Sequence, residues 1–240
     1  MPLNLTATEK RDLTPELMDD PRLDPSLHAQ ALRGLARINR FSLAADAFWK
    51  PIKHFYFASG RKPLRILDIA AGGGDILTRL SLKAQNEKLP FIFEGCDVSG
   101  QAVAFARQRA EERRLNINYF ILDALRETIP ERFDVVMCSL FLHHLTEAEL
   151  KGFLKALHQS RAKLILLCDL KRCLTGLLLA YMGTRFLSRS PVVHVDGPQS
   201  VRAAFTTQEV VRLAREVGVV EARASSVWPE RYLLSWRKRL

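Results

Sequence analysis

The stretch LRILDIAAGGGD, residues 64–75, constrains this chain more than any other. An apolar run from Leu64 to Ile69 breaks into Ala70-Ala71-Gly72-Gly73-Gly74, and a helical pattern starts at Asp75. That order predicts a buried parallel strand, a tight turn and a helix N-terminus. The small residues of the turn let a ligand lie against bare backbone. Asp68 stands inside the apolar run, and a carboxylate there needs a polar partner. A unit of this kind places a nucleotide or nucleoside at the carboxyl end of the first strand of an α/β sheet.

The residues narrow the choice of ligand. A dinucleotide turn needs a third glycine three residues after the second, and Leu77 occupies that place. No G-K-[ST] triplet follows, as a phosphate-cradling loop requires. Asp68 before the glycines repels phosphate and attracts a cation or hydrogen-bond donors. A ligand with an α-amino group and a ribose but no phosphate suits this turn, and S-adenosylmethionine is such a ligand. A second apolar run, 91–96, ends in Asp97, where a carboxylate can take both hydroxyls of a ribose. A third, 117–122, ends in Asp123-Ala124, and a fourth, 133–138, runs into Ser139 and then LFLHHL.

On these motifs the chain resembles the class I S-adenosylmethionine-dependent methyltransferases, in the small-molecule branch with an LHHL element. The resemblance is firm over residues 60–169 and looser elsewhere. It implies a Rossmann-like α/β fold: a seven-stranded, mainly parallel sheet with an antiparallel final strand, helices on both faces and a helical N-terminal cap. It implies that Asp68, Ala70, Gly72 and Gly74 meet the methionine part, with Ala70 standing where the family has glycine. Asp97 would hold the ribose, Asp123 would lie near the adenine amine, and Val98 and Ala124 would flank the ring. Ser139 to His144 would line the passage to the acceptor.

The pattern along the chain agrees. Residues 1–59 read as an arm (1–25, of which ELMDD could dock) and a helical cap, broken at Pro51. Residues 60–240 read as the methyltransferase domain, with strands at 64–69, 91–96, 117–122, 133–138 and 162–168. Helices are expected at 75–87, 100–114, 147–159 and 207–217, and the last two strands flank Pro229. Residues 170–205 form an insertion whose apolar segment, Leu174 to Leu187, is too short to span a bilayer. We read it as a lid over an apolar or aromatic acceptor of phenolic, quinone-like or polyketide type, with oxygen as the methylated atom.

A base for a phenol or alcohol is sought at strand ends and covering loops. His143, between the apolar anchors Leu142 and Leu145, is the first candidate and His194 the second. A structural role, bonded to backbone near the cofactor, is the competing reading of His143. No metal is expected, since no Glu precedes His143 in the LFLHHL element. Cys96, Cys138, Cys168 and Cys173 miss a metal-binding spacing and read as reduced thiols of a cytoplasmic protein. The segment MPLNLTATEKRDL lacks the apolar core of a secretory leader. The net charge of +10 is spread along the chain, without interleaved aromatics that would suggest a nucleic-acid groove. Arg172, Arg185 and Arg189 beside the insertion would suit a membrane surface or an acidic substrate group. An RNA or protein methyltransferase, or a non-catalytic binding module of the same fold, stays open at this point. The oligomeric state is not legible.

Overall fold

The computed structural model describes residues 10–20 and 22–238. In chain order the elements are α1 (Pro25–Phe41), α2 (Ala44–Ala58), β1 (Leu64–Ile69), α3 (Asp75–Asn86), β2 (Phe91–Asp97), α4 (Gly100–Glu112) and β3 (Ile117–Ile121). Then come β4 (Val135–Ser139), α5 (Glu147–Gln159), β5 (Leu164–Leu170), α6 (Leu174–Leu187), α7 (Pro191–Ala203), α8 (Thr207–Glu216), β6 (Arg223–Val227) and β7 (Arg231–Arg237). The seven strands form one sheet in the order β3-β2-β1-β4-β5-β7-β6. β1 to β5 are parallel, and β7 is antiparallel to both β5 and β6. This is the Rossmann-like arrangement expected, with its antiparallel final strand.

Side chains alternate across the strands and load both faces. Ile66, Val135, Met137 and Leu166 pack under α2, α3 and α4, through Phe48, Ile52, Leu77 and Val103. Leu67, Val136, Cys138 and Leu167 pack under α5 and α8, through Phe153, Leu154, Val210 and Leu213. α2 is therefore one of the helices that cover the sheet, while α1 packs with α6 and α7 over the strand ends. β4 and β5 start later than their apolar runs: Phe133 and Ala162 are buried in the core but precede the ladders.

The helical N-terminal region does not break at Pro51, as the sequence suggested. Pro51 lies inside α2, and the break falls at Ser42-Leu43, where Leu43 takes a left-handed backbone (φ 52°). An interior proline costs ~3 kcal/mol. Around it Phe48, Ile52 and Phe55 are essentially fully buried, and each such side chain returns roughly 1.5–3 kcal/mol. Packing outweighs the lost backbone bond. The part of the arm that is described is docked rather than loose. Arg11 donates to the carbonyls of Ala203 (2.6 Å), His143 (3.1 Å) and Leu145 (2.8 Å), and stacks on the Phe205 ring. Residues 1–9 lie outside the described residues.

Tyr119 of β3 locks β2 to the turn after β1. Its ring lies where a Cβ on Gly95 would stand, with ring carbons 2.6 and 2.7 Å from that position. Its hydroxyl reaches the Gly74 carbonyl at 3.4 Å. Gly95 is thus required in mid-strand because Tyr119 fills its space. We expect Gly95→Ala to cost about 1–3 kcal/mol through overpacking, read as a lower denaturation midpoint. An unchanged midpoint would mean that Tyr119 moves aside freely.

Candidate active site

The strand carboxyl ends open into a cavity of about 1140 Å³. A pocket for one drug-sized ligand is roughly 300–1,000 Å³, and this one lies above that range. Asp68, Ala70, Gly72, Asp97, Val98, Asp123, Ala124, Ser139 and His143 all line it; Gly74 and His194 do not.

The turn after β1 shapes one wall. Ala70, Gly72 and Gly74 all take left-handed backbone, φ 54°, 50° and 67°. A Cβ on Gly72 would meet only Leu32, at 3.9 Å, so this glycine keeps the cavity wall low. Gly74 serves a different end from the one expected. A Cβ there would meet the Tyr119 hydroxyl at 2.4 Å, so Gly74 makes room for packing behind the turn. Asp97 clamps the turn from β2: Gly72 N–H donates to Oδ2 (2.8 Å) and Ser99 N–H to Oδ1 (2.9 Å). Asp123 accepts from Leu125 N–H (3.0 Å) just beyond β3. Val98 is well exposed on the cavity rim.

Three carboxyls converge here. Asp68 is buried, and its Oδ1 has no hydrogen-bond partner among the described residues. Burial pushes Asp68 well above the usual carboxylate range, and the charges of Asp75 and Asp97 push the same way. Burial also raises Asp75 and Asp97, against the pull of Arg109 on the first and of backbone N–H groups on the second. A cation entering the cavity would favour the charged form of all three.

Sequence reasoning missed Arg231. It opens β7 opposite Leu170, the end of β5, and so reaches the cavity from the antiparallel strand. Its Nη2 donates to Asn39 Oδ1 (3.0 Å), and Asn39 Nδ2 donates to Asp75 Oδ2 (3.2 Å). Its Nη1 is buried without a partner among the described residues, as is Ser139 Oγ.

His143 is held between two carboxylates. Asp169, at the end of β5 and 0% exposed, takes Nδ1 at 2.7 Å and the His143 backbone N–H at 3.1 Å. Glu16, from the docked arm, lies 3.4 Å from Nε2 and accepts from Ser200 Oγ at 2.6 Å. Burial alone would depress His143, but Asp169 and Glu16 outweigh it and lift the imidazole to about 10. Carboxylates thus engage both ring nitrogens and favour the charged imidazole, which counts against the role of base expected for it. Glu16, His143 and His144 bring donor atoms within 4.8 Å of one another. Both ring nitrogens of His143 face carboxylates, and His144 Nδ1 pairs with Asp19 (2.9 Å). His194, the other expected base, lies on α7 with Nε2 2.8 Å from the Ser188 carbonyl, away from the cavity. Its neighbour Asp196 holds the arm instead, accepting from Leu17 N–H (2.9 Å) and Met18 N–H (3.0 Å).

Residues 66–162 match a family described as a methyltransferase domain. Over those residues the chain is similar to a methyltransferase domain. It is 31% identical over 114 residues to the demethylmenaquinone methyltransferase of Thermus thermophilus, covering 47% of this chain and 50% of that one. It is 26% identical over 202 residues to a ubiquinone biosynthesis O-methyltransferase of Methylococcus capsulatus, covering 77% and 81%. The chain thus spans half of the first relative's length and most of the second's. Among solved structures, the plantazolicin methyltransferase BpumL with bound S-adenosylhomocysteine shares the fold at TM-score 0.61 and 16% identity, over 92% of each chain. A methyltransferase from Aquifex aeolicus does so at TM-score 0.58 and 19% identity, over 89% and 98%. His143 is tied through Glu16 to the arm and, through Ser200, to α7.

Removing His143 leaves Asp169 buried and uncompensated. His143→Ala should cost ~3–5 kcal/mol near pH 7. Because the native imidazole is raised from 6.5 to about 10, its contribution is full below pH 6.5 and is lost as pH rises through about 10. The gap between wild type and variant, measured by denaturation against pH, should therefore narrow toward pH 10. A constant gap would contradict the assigned protonation.

Proposed function

We propose that this chain transfers the methyl group of S-adenosylmethionine to an oxygen of an apolar or aromatic small molecule of phenolic or quinone-like type. The observation that carries the reading is the presence in one cavity of two buried groups without a partner among the described residues, Asp68 Oδ1 and Arg231 Nη1. Together they match the ammonium and carboxylate of an amino acid, and the three raised carboxyls favour a ligand with positive charge. The residues fit the cofactor, which when bound supplies an electrophilic methyl group on its sulfonium. Asp68 would hold the ammonium, Arg231 the carboxylate and Asp97 the ribose hydroxyls. Val98 and Ala124 would flank the adenine, near Asp123, and Ser139 would bound the passage to the acceptor.

The relatives' names, ubiquinone biosynthesis and demethylmenaquinone methyltransferase, support a quinone-like acceptor. Leu35, Ile38, Leu179 and Ala180 give that part of the cavity apolar walls. We retain residues 170–205 as the segment that covers the acceptor, in the restricted form that Leu179, Ala180 and Gly183 do so. With His143 protonated, the chain contributes position rather than a base. His143 then fixes Glu16 and the arm across the cavity, and acceptors that ionise readily, phenols before alcohols, react faster.

Titration calorimetry with S-adenosylhomocysteine and with 5′-deoxy-5′-methylthioadenosine, which lacks the amino-acid part, tests the cofactor assignment. Asp68→Asn and Arg231→Met should each weaken the first ligand by ~1–3 kcal/mol and leave the second nearly unchanged. Asp68→Asn should also raise the melting temperature of the free protein, since it removes a buried ionisable group. Equal effects on both ligands would refute the assignment. A methyl-release assay on phenols, hydroquinones and alcohols tests the acceptor class, and transfer to none of them would remove it.

A further inference from the structure

Two helices at the mouth of the cavity expose apolar side chains instead of burying them. On α6, Leu178, Tyr181, Met182 and Phe186 are exposed, Phe186 by 80%. They neither fill the core nor line the cavity, contrary to the lid expected from the sequence. At the junction of α1 and α2, Phe41 and Leu43 are exposed as well, Leu43 on a left-handed backbone. The two regions adjoin. α1 packs on α6, Arg37 Nε donates to the Leu187 carbonyl (2.8 Å), and both helices contribute to the cavity wall through Ile38 and Leu179.

The charges on these helices are segregated. No Asp or Glu occurs between Pro25 and Ala45, or between Leu170 and Val195. Arg33, Arg37, Arg40, Arg185 and Arg189 are all exposed there. None of the five forms an ion pair within 4.0 Å among the described residues; Arg185 instead stacks on the Tyr181 ring, 3.6 Å from its centre. Single exposed apolar residues are ordinary, but an apolar cluster rimmed by unopposed arginines marks a contact surface.

We propose that this face of α1 and α6 docks on the surface of an anionic phospholipid bilayer. α6 has 14 residues and no helix among the described residues is long and apolar enough to cross a membrane. A helix of this kind lies in the interface, apolar side chains among the acyl chains and arginines at the phosphates. A second copy of this chain fits worse, since a two-fold contact would set one copy's arginines against the other's. Nucleic acid would meet the arginines but leave the apolar residues uncovered. The surface stands without the acceptor class proposed above. Only its consequence, that an apolar acceptor enters the cavity from the lipid, rests on that reading.

Flotation of the full chain with vesicles tests it, using phosphatidylcholine alone or with about one third phosphatidylglycerol. The protein should float with the anionic vesicles and be largely released at about 0.5 M salt. The pairs Met182→Ser with Phe186→Ser, and Arg185→Glu with Arg189→Glu, should each lower the bound fraction roughly tenfold. Both should keep wild-type affinity for S-adenosylhomocysteine, which shows that they are folded. Failure of ligand-competent wild type to float with anionic vesicles would overturn the proposal. So would a dimer in sedimentation equilibrium that Phe186→Ser dissociates, since a second copy would then own the face. Vesicle binding without methyl transfer to any lipid-soluble phenol would leave the surface standing and count against the acceptor class instead.

Discussion

Burying Asp68 beside Asp75 and Asp97, with no hydrogen-bond partner for its Oδ1 among the described residues, destabilises the free protein as soon as the group ionises. The cost falls where the parallel strands end together at the cavity. A cation in the cavity would convert that cost into binding energy, because the same crowding that raises the carboxyls strengthens their attraction for a positive charge. Arg231 supplies the opposite pole. Its single bond to Asn39, relayed to Asp75, fixes the guanidinium while leaving Nη1 unpartnered among the described residues.

A second buried charge system joins the sheet to what covers it. Asp169 at the end of β5 is held in its ionised form, against its burial, chiefly by His143. His143 in turn faces Glu16, and Glu16 is bonded to Ser200 of α7. Each member needs the next, so arm, sheet and α7 are locked together beside the cavity. Arg11 strengthens the lock from below, bonding to the backbone of His143 and Leu145. A group so tightly paired orients others well and exchanges protons poorly, which is why we assign His143 to positioning.

The sheet, and the turn and acids that line the cavity at its strand ends, were legible because their signals are local. Apolar runs ending in Asp68, Asp97 and Asp123 each state a strand, its direction and its cavity-facing tip within a few residues. Gly72 fits that reading, whereas Gly74 does not, because its neighbour Tyr119 is 45 residues away in sequence. Arg231 and Asn39 are separated by 192 residues, and Arg11 and His143 by 132. No periodicity or motif reports such a pair. Pro51 misled for a related reason: local backbone chemistry argues for a break, and only the tertiary burial of Phe48 and Ile52 overrides it. The apolar segment of α6 suggested a lid by composition alone, and only the packing of α1 and α7 shows that its free side faces outward.

The central claim is that Asp68 and Arg231 hold the two charged ends of an amino acid in one cavity. A crystal structure of the wild-type chain with S-adenosylhomocysteine tests it most directly. The account predicts the ligand's ammonium within ~3 Å of Asp68 Oδ1 and its carboxylate within ~3 Å of Arg231 Nη1. A ligand whose carboxylate bonds elsewhere, with Arg231 still turned to Asn39 alone, would contradict it.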